Sequence, residues 1–163
     1  MILAPKLLTE DHDITLFSCG ESVLDMWLRQ RALANQKSGA SKTYVICEAD
    51  RVIGYYCLSA GAVQINEAYK NIKRNMPDPI PMMLFGRLAV DQEHQRQGLG
   101  RALLRDAVWR TTEAAAIVGI RGIFVRALSH RAKHFYEQSG FRESPINSWL
   151  LMISMKEAEA ALS

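Results

Sequence analysis

The stretch LFGRLAVDQEHQRQGLGRALL, residues 84–104, passes from an apolar run through a polar one into Gly-x-Gly and a leucine-spaced segment. Its pattern predicts a strand over residues 82–90, a polar loop over 91–97 and a helix over 98–116. Leu99, Leu103, Leu104, Ala107 and Val108 form the apolar side of that helix. The first N–H groups of a helix have no partner within it and carry the positive end of its dipole, so they suit a phosphate. Gly98 and Gly100 allow close approach to the backbone. The loop lacks the Lys-Ser/Thr pair of a nucleotide triphosphate site and the third glycine of a dinucleotide fingerprint, which argues against both chemistries.

On either side of this stretch the chain alternates between helical and extended patterns. Residues 2–8 read as a short strand. Ser18 and Glu21 have capping-box spacing ahead of a helix that carries Leu24, Trp27 and Leu28 on one face and fades near residues 37–39. Residues 43–49 and 52–60 are rich in β-branched and aromatic side chains and read as an antiparallel hairpin about Asp50-Arg51. A short helix is expected within 65–75, with Lys70, Lys73 and Arg74 close together, and Pro77, Pro79 and Pro81 then predict an extended connection. A strand over 122–128, a helix over 131–139 stopped by Gly140 and a last strand over 149–155 complete the order. This is a mixed α/β layer architecture, read as a single domain over residues 1–163.

Composition narrows the classes. The chain has 163 residues, 48% of them hydrophobic and 23% charged, which is ordinary for a globular domain and excludes disordered and fibrous classes. No apolar run approaches the ~20 residues of a membrane span, and no secretory leader is expected, so the reading is cytoplasmic with no membrane partner. The net charge of +3 does not by itself imply nucleic-acid binding. Cys19, Cys47 and Cys57 have no metal-type spacing, and His12, His94 and His130 lack paired ligands, so no metal is expected.

The Gln95-Arg96-Gln97-Gly98-Leu99-Gly100 turn resembles the pyrophosphate loop of the GNAT acetyltransferases, which use acetyl-coenzyme A (acetyl-CoA). The run Ala132-Lys133-His134-Phe135-Tyr136-Glu137-Gln138-Ser139-Gly140-Phe141 is similar to the A-x-x-F-Y-x-x-x-G-F signature of the same family. The resemblance implies a GNAT acyl-CoA N-acyltransferase fold, a central mixed sheet flanked by helices. It implies that Leu88, Ala89 and Val90 run beside the pantetheine arm. Gln95, Arg96, Gln97, Gly98, Leu99, Gly100, Arg101 and Phe135 are then further cofactor-binding candidates, and Tyr136 is the catalytic candidate.

A narrower resemblance rests on Leu8 with His12-Asp13, Phe17-x-Cys19-Gly20, Leu24-Asp25-x-Trp27-Leu28, Gly54-Tyr55-Tyr56, Arg87-Leu88-Ala89-Val90-Asp91 and Phe135-Tyr136-Glu137. Together they resemble the GNAT toxins of type II toxin–antitoxin modules. Such toxins acetylate the α-amine of aminoacyl-tRNA and inhibit translation. The resemblance also implies a ribbon-helix-helix antitoxin, a homodimer, and operator DNA engaged only through the antitoxin complex. Arg87, Lys73 and Arg74 are the substrate-binding candidates, beside a wider basic set of Arg29, Arg31, Lys37, Lys42 and Lys70.

Reference acidities bear on this chemistry. Freeing the lone pair of an α-amine with a pKa of ~7.8 costs about 1 kcal/mol at pH 7, against roughly 4.6 kcal/mol for a lysine at ~10.4. A site with no dedicated base therefore suits an α-amine, and Glu48, His134 and Glu137 are in no informative pattern. A phenol at ~10 is a weaker acid than a thiol at ~8.5, so full proton transfer to a departing thiolate runs uphill by about 2 kcal/mol. Tyr136 is thus expected to act as a hydrogen-bond donor to developing sulfur charge. Two alternatives remain open: an ordinary GNAT N-acetyltransferase acting on a small amine, peptide N-terminus or protein lysine, and a catalytically silent module that captures coenzyme A or represses DNA with an antitoxin.

Overall fold

The computed structural model describes residues 1–162. They form two compact units, Met1–Ser59 with Gly86–Ala107, and Ala60–Phe85 with the chain from Val108 onward.

In the first unit the strand order is β1-β2-β3-β4. Strand β2 (Lys42–Glu48) and the first part of β3 (Arg51–Val63) form the expected hairpin, in antiparallel register from Lys42↔Leu58 to Glu48↔Arg51. Strand β1 is only Lys6–Leu7, paired with β2, and Ile2 makes a lone bridge to Glu48, so the extended segment over residues 2–8 is mostly not a regular strand. The first helical region runs as α1 (Ser22–Trp27), a π segment (Leu28–Ala32) and α2 (Leu33–Ser38), and Gly39 ends it at φ +86°.

Leu24, Trp27 and Leu28 pack as their spacing predicts, with Leu8, Phe17, Val45, Val52, Tyr55 and Ala89. Full burial of a leucine- or phenylalanine-sized side chain contributes ~1.5–3 kcal/mol each. The Gln36 side chain ties α2 to the strands, donating to the Leu8 carbonyl at 2.8 Å and accepting from the Thr43 N–H at 2.9 Å.

The capping box does not form. Glu21 is the N-cap and its side chain makes no cap bond. The Ser18 N–H instead donates to Asp91, 73 residues away, and the Asp25 carboxylate accepts the Cys19 N–H at 2.9 Å. In a capping box the Glu21 carboxylate would accept the Ser18 N–H, and here the Asp91 carboxylate takes that place.

In the second unit the order is β3-β4-β5-β7-β6. Strand β4 (Ile80–Val90) pairs in parallel with β5 (Gly122–Arg126), and β5 pairs antiparallel with β7 (Asn147–Ser154). The sheet strands are therefore mixed, as expected. Pro81 lies inside β4 rather than before it; it needs no N–H there, and its carbonyl accepts from the Arg121 N–H at 2.8 Å.

The helix expected over 65–75 is reduced to a 3-10 turn (Ile65–Glu67) and the single turn α3 (Lys70–Lys73), because Ala68 between them is extended. Strand β5 ends at Arg126, two residues short of expectation. Helix α5 (His130–Gln138) starts on the Ser129 hydroxyl, which accepts the Ala132 N–H. Two elements have no counterpart in the sequence reading: β6 (Arg142–Ser144), paired with β7, and α6 (Met155–Leu162). The core of this unit is Val63, Ala68, Ile72, Ile80, Met82, Phe124, Leu150 and Met152.

Candidate active site

In the first unit, the end of β4 delivers the chain to Asp91, which caps a 3-10 turn (Gln92–His94), and α4 (Leu99–Ala115) follows. Leu88 and Val90 are partly exposed on β4, and Ala89 is buried between them. The turn over 95–98 is sharp: Arg96 has φ +64° and Gly98 φ +80°. A Cβ placed on Gly98 meets nothing within 4 Å, so the space beside it is open. The first bond of the helix runs from the Ala102 N–H to the Gly98 carbonyl at 3.0 Å. The N–H groups of Gly98 to Arg101 therefore precede the helical ladder and are available to an anion. Arg96, Gln97, Gly98 and Arg101 are exposed.

Gln95 is bonded within the loop. Its amide donates to the Val90 carbonyl at 2.8 Å and the Cys19 carbonyl at 3.0 Å, so this side chain braces the loop. Sequence reasoning also missed the work of Asp91. This carboxylate is 2% exposed and accepts N–H bonds from Ser18 and Glu93. A polar residue directly after a β-strand was the available signal, but nothing in the sequence placed Ser18 opposite it.

Arg87 lies on β4 with its guanidinium 4.4 Å from the Trp27 ring centroid. Trp27 in turn stacks on Tyr55, centroids 5.9 Å apart and planes 9° from parallel, and Phe17 meets Tyr55 edge-on. The Arg87 guanidinium thus meets an aromatic face in a cation–π contact.

None of the three cysteines is set up as a nucleophile. Burial, and then the neighbouring Asp25, push the Cys19 thiol up to about 12, and burial likewise raises Cys47 and Cys57. The thiolate is the reactive form, so these groups remain thiols near neutrality.

In the second unit, Tyr136 is on α5, 5% exposed, with its ring against Phe135, Phe85 and Phe141 at 5.4, 6.1 and 5.6 Å between centroids. Helix α5 turns at Gly140, and the Phe141 N–H returns to the Tyr136 carbonyl at 3.0 Å. The signature Phe-Tyr and Gly-Phe thus close on one another, and the phenol is held by three aromatic rings.

The basic candidates differ in their surroundings. Lys37 is paired with Glu10 at 2.5 Å, and that contact holds the Glu10 carboxyl below its ordinary range. Lys37 is therefore not a free cation. Arg29 donates to the Phe17 carbonyl and Arg31 to Asn35, while both remain exposed. Lys70, Lys73 and Arg74 are exposed together at α3. Arg121 secures that turn by donating to the Ile72 and Asn71 carbonyls at 3.0 and 2.9 Å. Among the described residues no cluster of His, Cys, Asp and Glu is placed to hold a metal ion, and no helix is long and apolar enough to cross a membrane.

The span that holds the turn at the end of β4 and the Phe-Tyr pair on α5, residues 39–143, matches the acetyltransferase (GNAT) domain. The chain belongs to that family, and it is an N-acetyltransferase. Over 159 residues it is 45% identical to a tRNA-acetylating toxin of Mycobacterium tuberculosis, covering 98% of this chain and 96% of that protein. Among solved structures it resembles AtaT complexed with acetyl-methionyl-tRNAfMet, with TM-score 0.91, 29% identity and all of both chains covered. It also resembles a tyrosine-to-phenylalanine mutant of AtaT bound to the C-terminus of the antitoxin AtaR and acetyl-CoA, with TM-score 0.82, 29% identity, and 98% and 97% of the two chains covered.

Proposed function

We propose that this protein transfers the acetyl group of acetyl-CoA to the α-amine of aminoacyl-tRNA and thereby inhibits translation. The observation that carries the acceptor is the 45% identity to a tRNA-acetylating toxin over nearly the whole of both proteins. The donor is supported by the turn at 95–101, whose open side and helix-start N–H groups fit a diphosphate. The whole of residues 1–163 is read as one acetyltransferase domain, since β3, β4 and α4 each contribute residues to both units.

Bound acetyl-CoA supplies an activated thioester. The chain's own residues do the rest. The N–H groups of Gly98, Leu99, Gly100 and Arg101, with the cations of Arg96 and Arg101, hold the diphosphate. Leu88, Ala89 and Val90 line the pantetheine arm with their main chain, and Phe135 contributes apolar contact. Gln95 and Gln97 complete the turn, Gln95 through its bonds to Val90 and Cys19. Tyr136 donates its hydroxyl hydrogen bond to the sulfur as negative charge develops there. No cysteine carries the acetyl group, because all three are held as thiols. The neutral amine needs only about 1 kcal/mol from an α-amine at pH 7, so no strong base is required.

Lys73 and Arg74 contact the tRNA backbone, and Arg87 contacts the acceptor end. A ribbon-helix-helix antitoxin neutralises the enzyme, which acts as a cytoplasmic homodimer and reaches operator DNA only through that antitoxin. Incubation with labelled acetyl-CoA and a charged tRNA pool, followed by mass spectrometry of the released amino acids, tests the reading. N-acetylated amino acids released from tRNA are expected. Label appearing on small amines or protein lysines, with none on tRNA, refutes it in favour of an ordinary N-acetyltransferase.

A further inference from the structure

We infer that Asp91 is a positioning residue for the acetyl donor: it sets the loop over 92–97 so that the first N–H groups of α4 face the donor's diphosphate. The inference rests on the reading that residues 95–101 hold that diphosphate. Asp91 is 2% exposed, and its own N–H donates to the Ile53 carbonyl at 2.8 Å, which anchors it to β3. Both carboxylate oxygens are committed. Oδ2 accepts the Ser18 N–H at 3.1 Å, and Oδ1 accepts the Glu93 N–H at 3.1 Å. Two more bonds tie the same strips of chain together, from the Gln92 N–H to the Ser18 carbonyl at 2.8 Å and from the Gln95 amide to the Cys19 carbonyl at 3.0 Å.

A buried carboxylate just ahead of an anion site has the wrong sign for binding a diphosphate. Its charge is met locally by Arg51. The Arg51 guanidinium is 3.6 Å from Oδ2, and His94 Nδ1 is 3.5 Å from Oδ1. Glu48 is 3.8 Å from the other ring nitrogen of His94. The benefit of Asp91 is therefore geometric. A carboxylate of this length offers two acceptor oxygens and no donor, which matches two converging N–H groups. Asparagine offers one acceptor and turns an NH2 group toward an N–H, leaving a buried donor unmatched. The loop then has to shift to recover a partner, while the Ile53 bond and β4 remain.

Asp91→Asn is compared with the unaltered protein using two donors, acetyl-CoA and S-acetylpantetheine, which carries the thioester and lacks the diphosphate. Charged tRNA is the acceptor in both. The KM for acetyl-CoA is expected to rise about 10-fold or more, the loss of one buried hydrogen-bond match, with kcat at saturating acetyl-CoA unchanged. The rate with S-acetylpantetheine and the KM for charged tRNA are expected to stay at the unaltered values. An equal loss with both donors, a fall in kcat with KM unmoved, or no change at all overturns the inference. Should the unaltered protein itself fail to distinguish the two donors, the diphosphate reading of residues 95–101 fails and takes this inference with it. If Asp91→Asn does not fold, His94→Asn keeps the carboxylate and removes the ring beside it. The same donor-selective rise in KM is expected there, smaller in size, and equal loss with both donors refutes the role.

Discussion

Replacing Gly98 by alanine and, separately, by asparagine distinguishes two reasons for a glycine at this turn. Gly98 is at φ +80°, in the left-handed region, and a Cβ there meets nothing within 4 Å. Alanine therefore clashes with nothing and suffers only the backbone penalty, ~1–2 kcal/mol for an L residue in that region. For a chain of this length that lowers Tm by about 2–8 °C, taking ~2–4 °C per kcal/mol. Asparagine tolerates the left-handed region better, so its Tm loss is expected to be clearly smaller. Both variants, however, add a Cβ to the open side of the turn, where the diphosphate is proposed to approach the backbone. Displacing one charge-assisted N–H bond, worth ~1.5–3 kcal/mol, raises the KM for acetyl-CoA roughly 10- to 150-fold in each. Thermal unfolding and initial rates against acetyl-CoA concentration measure the two effects on the same preparations. An asparagine variant with unaltered KM refutes close approach at Gly98. An alanine variant as stable as the asparagine one refutes the conformational argument.

Three other outcomes follow from the structure. Tyr136→Phe removes one hydroxyl from a ring packed among three phenylalanines, so the fold and acetyl-CoA binding are expected to persist. Turnover is expected to fall by ~100-fold, the usual size for one donor to developing charge, and near-normal kcat in the purified variant removes the tyrosine from the mechanism. Changing Lys73 and Arg74 together to Glu is expected to weaken charged-tRNA binding and to flatten the log–log salt dependence of its KM by about 1.4–1.8, the contribution of two phosphate contacts; an unchanged slope places the tRNA elsewhere. Cys19, raised to about 12, should react with iodoacetamide at pH 8 with only about one ten-thousandth of its thiol ionised, and its rate should climb with pH far beyond that of an ordinary cysteine near 8.5. Mass spectrometry that finds it labelled as fast as a free cysteine at pH 8 contradicts the buried-thiol argument.

What the sequence determined by itself was local: elements whose pattern and punctuation agree over a few residues. The hairpin over β2 and β3, the strand–turn–helix passage from β4 to α4, and the close of α2 at Gly39 all follow from periodicity and from glycines at positive φ. The likeness of residues 95–100 and 132–141 to known signatures was legible for the same reason, since each is a short contiguous run. Tertiary structure decided what depends on partners distant in the chain. The Ser18 N–H is taken not by Glu21, three residues on, but by the Asp91 carboxylate, 73 residues on. Strand β6 has only three residues and exists through its pairing with β7, and α6 starts where the Met155 N–H meets the Arg121 carbonyl. Lys37 is paired with Glu10, and the Arg87 guanidinium is set over the Trp27 ring. In each case the deciding energy is a bond or a burial between residues far apart in sequence, and only folding brings those groups within reach.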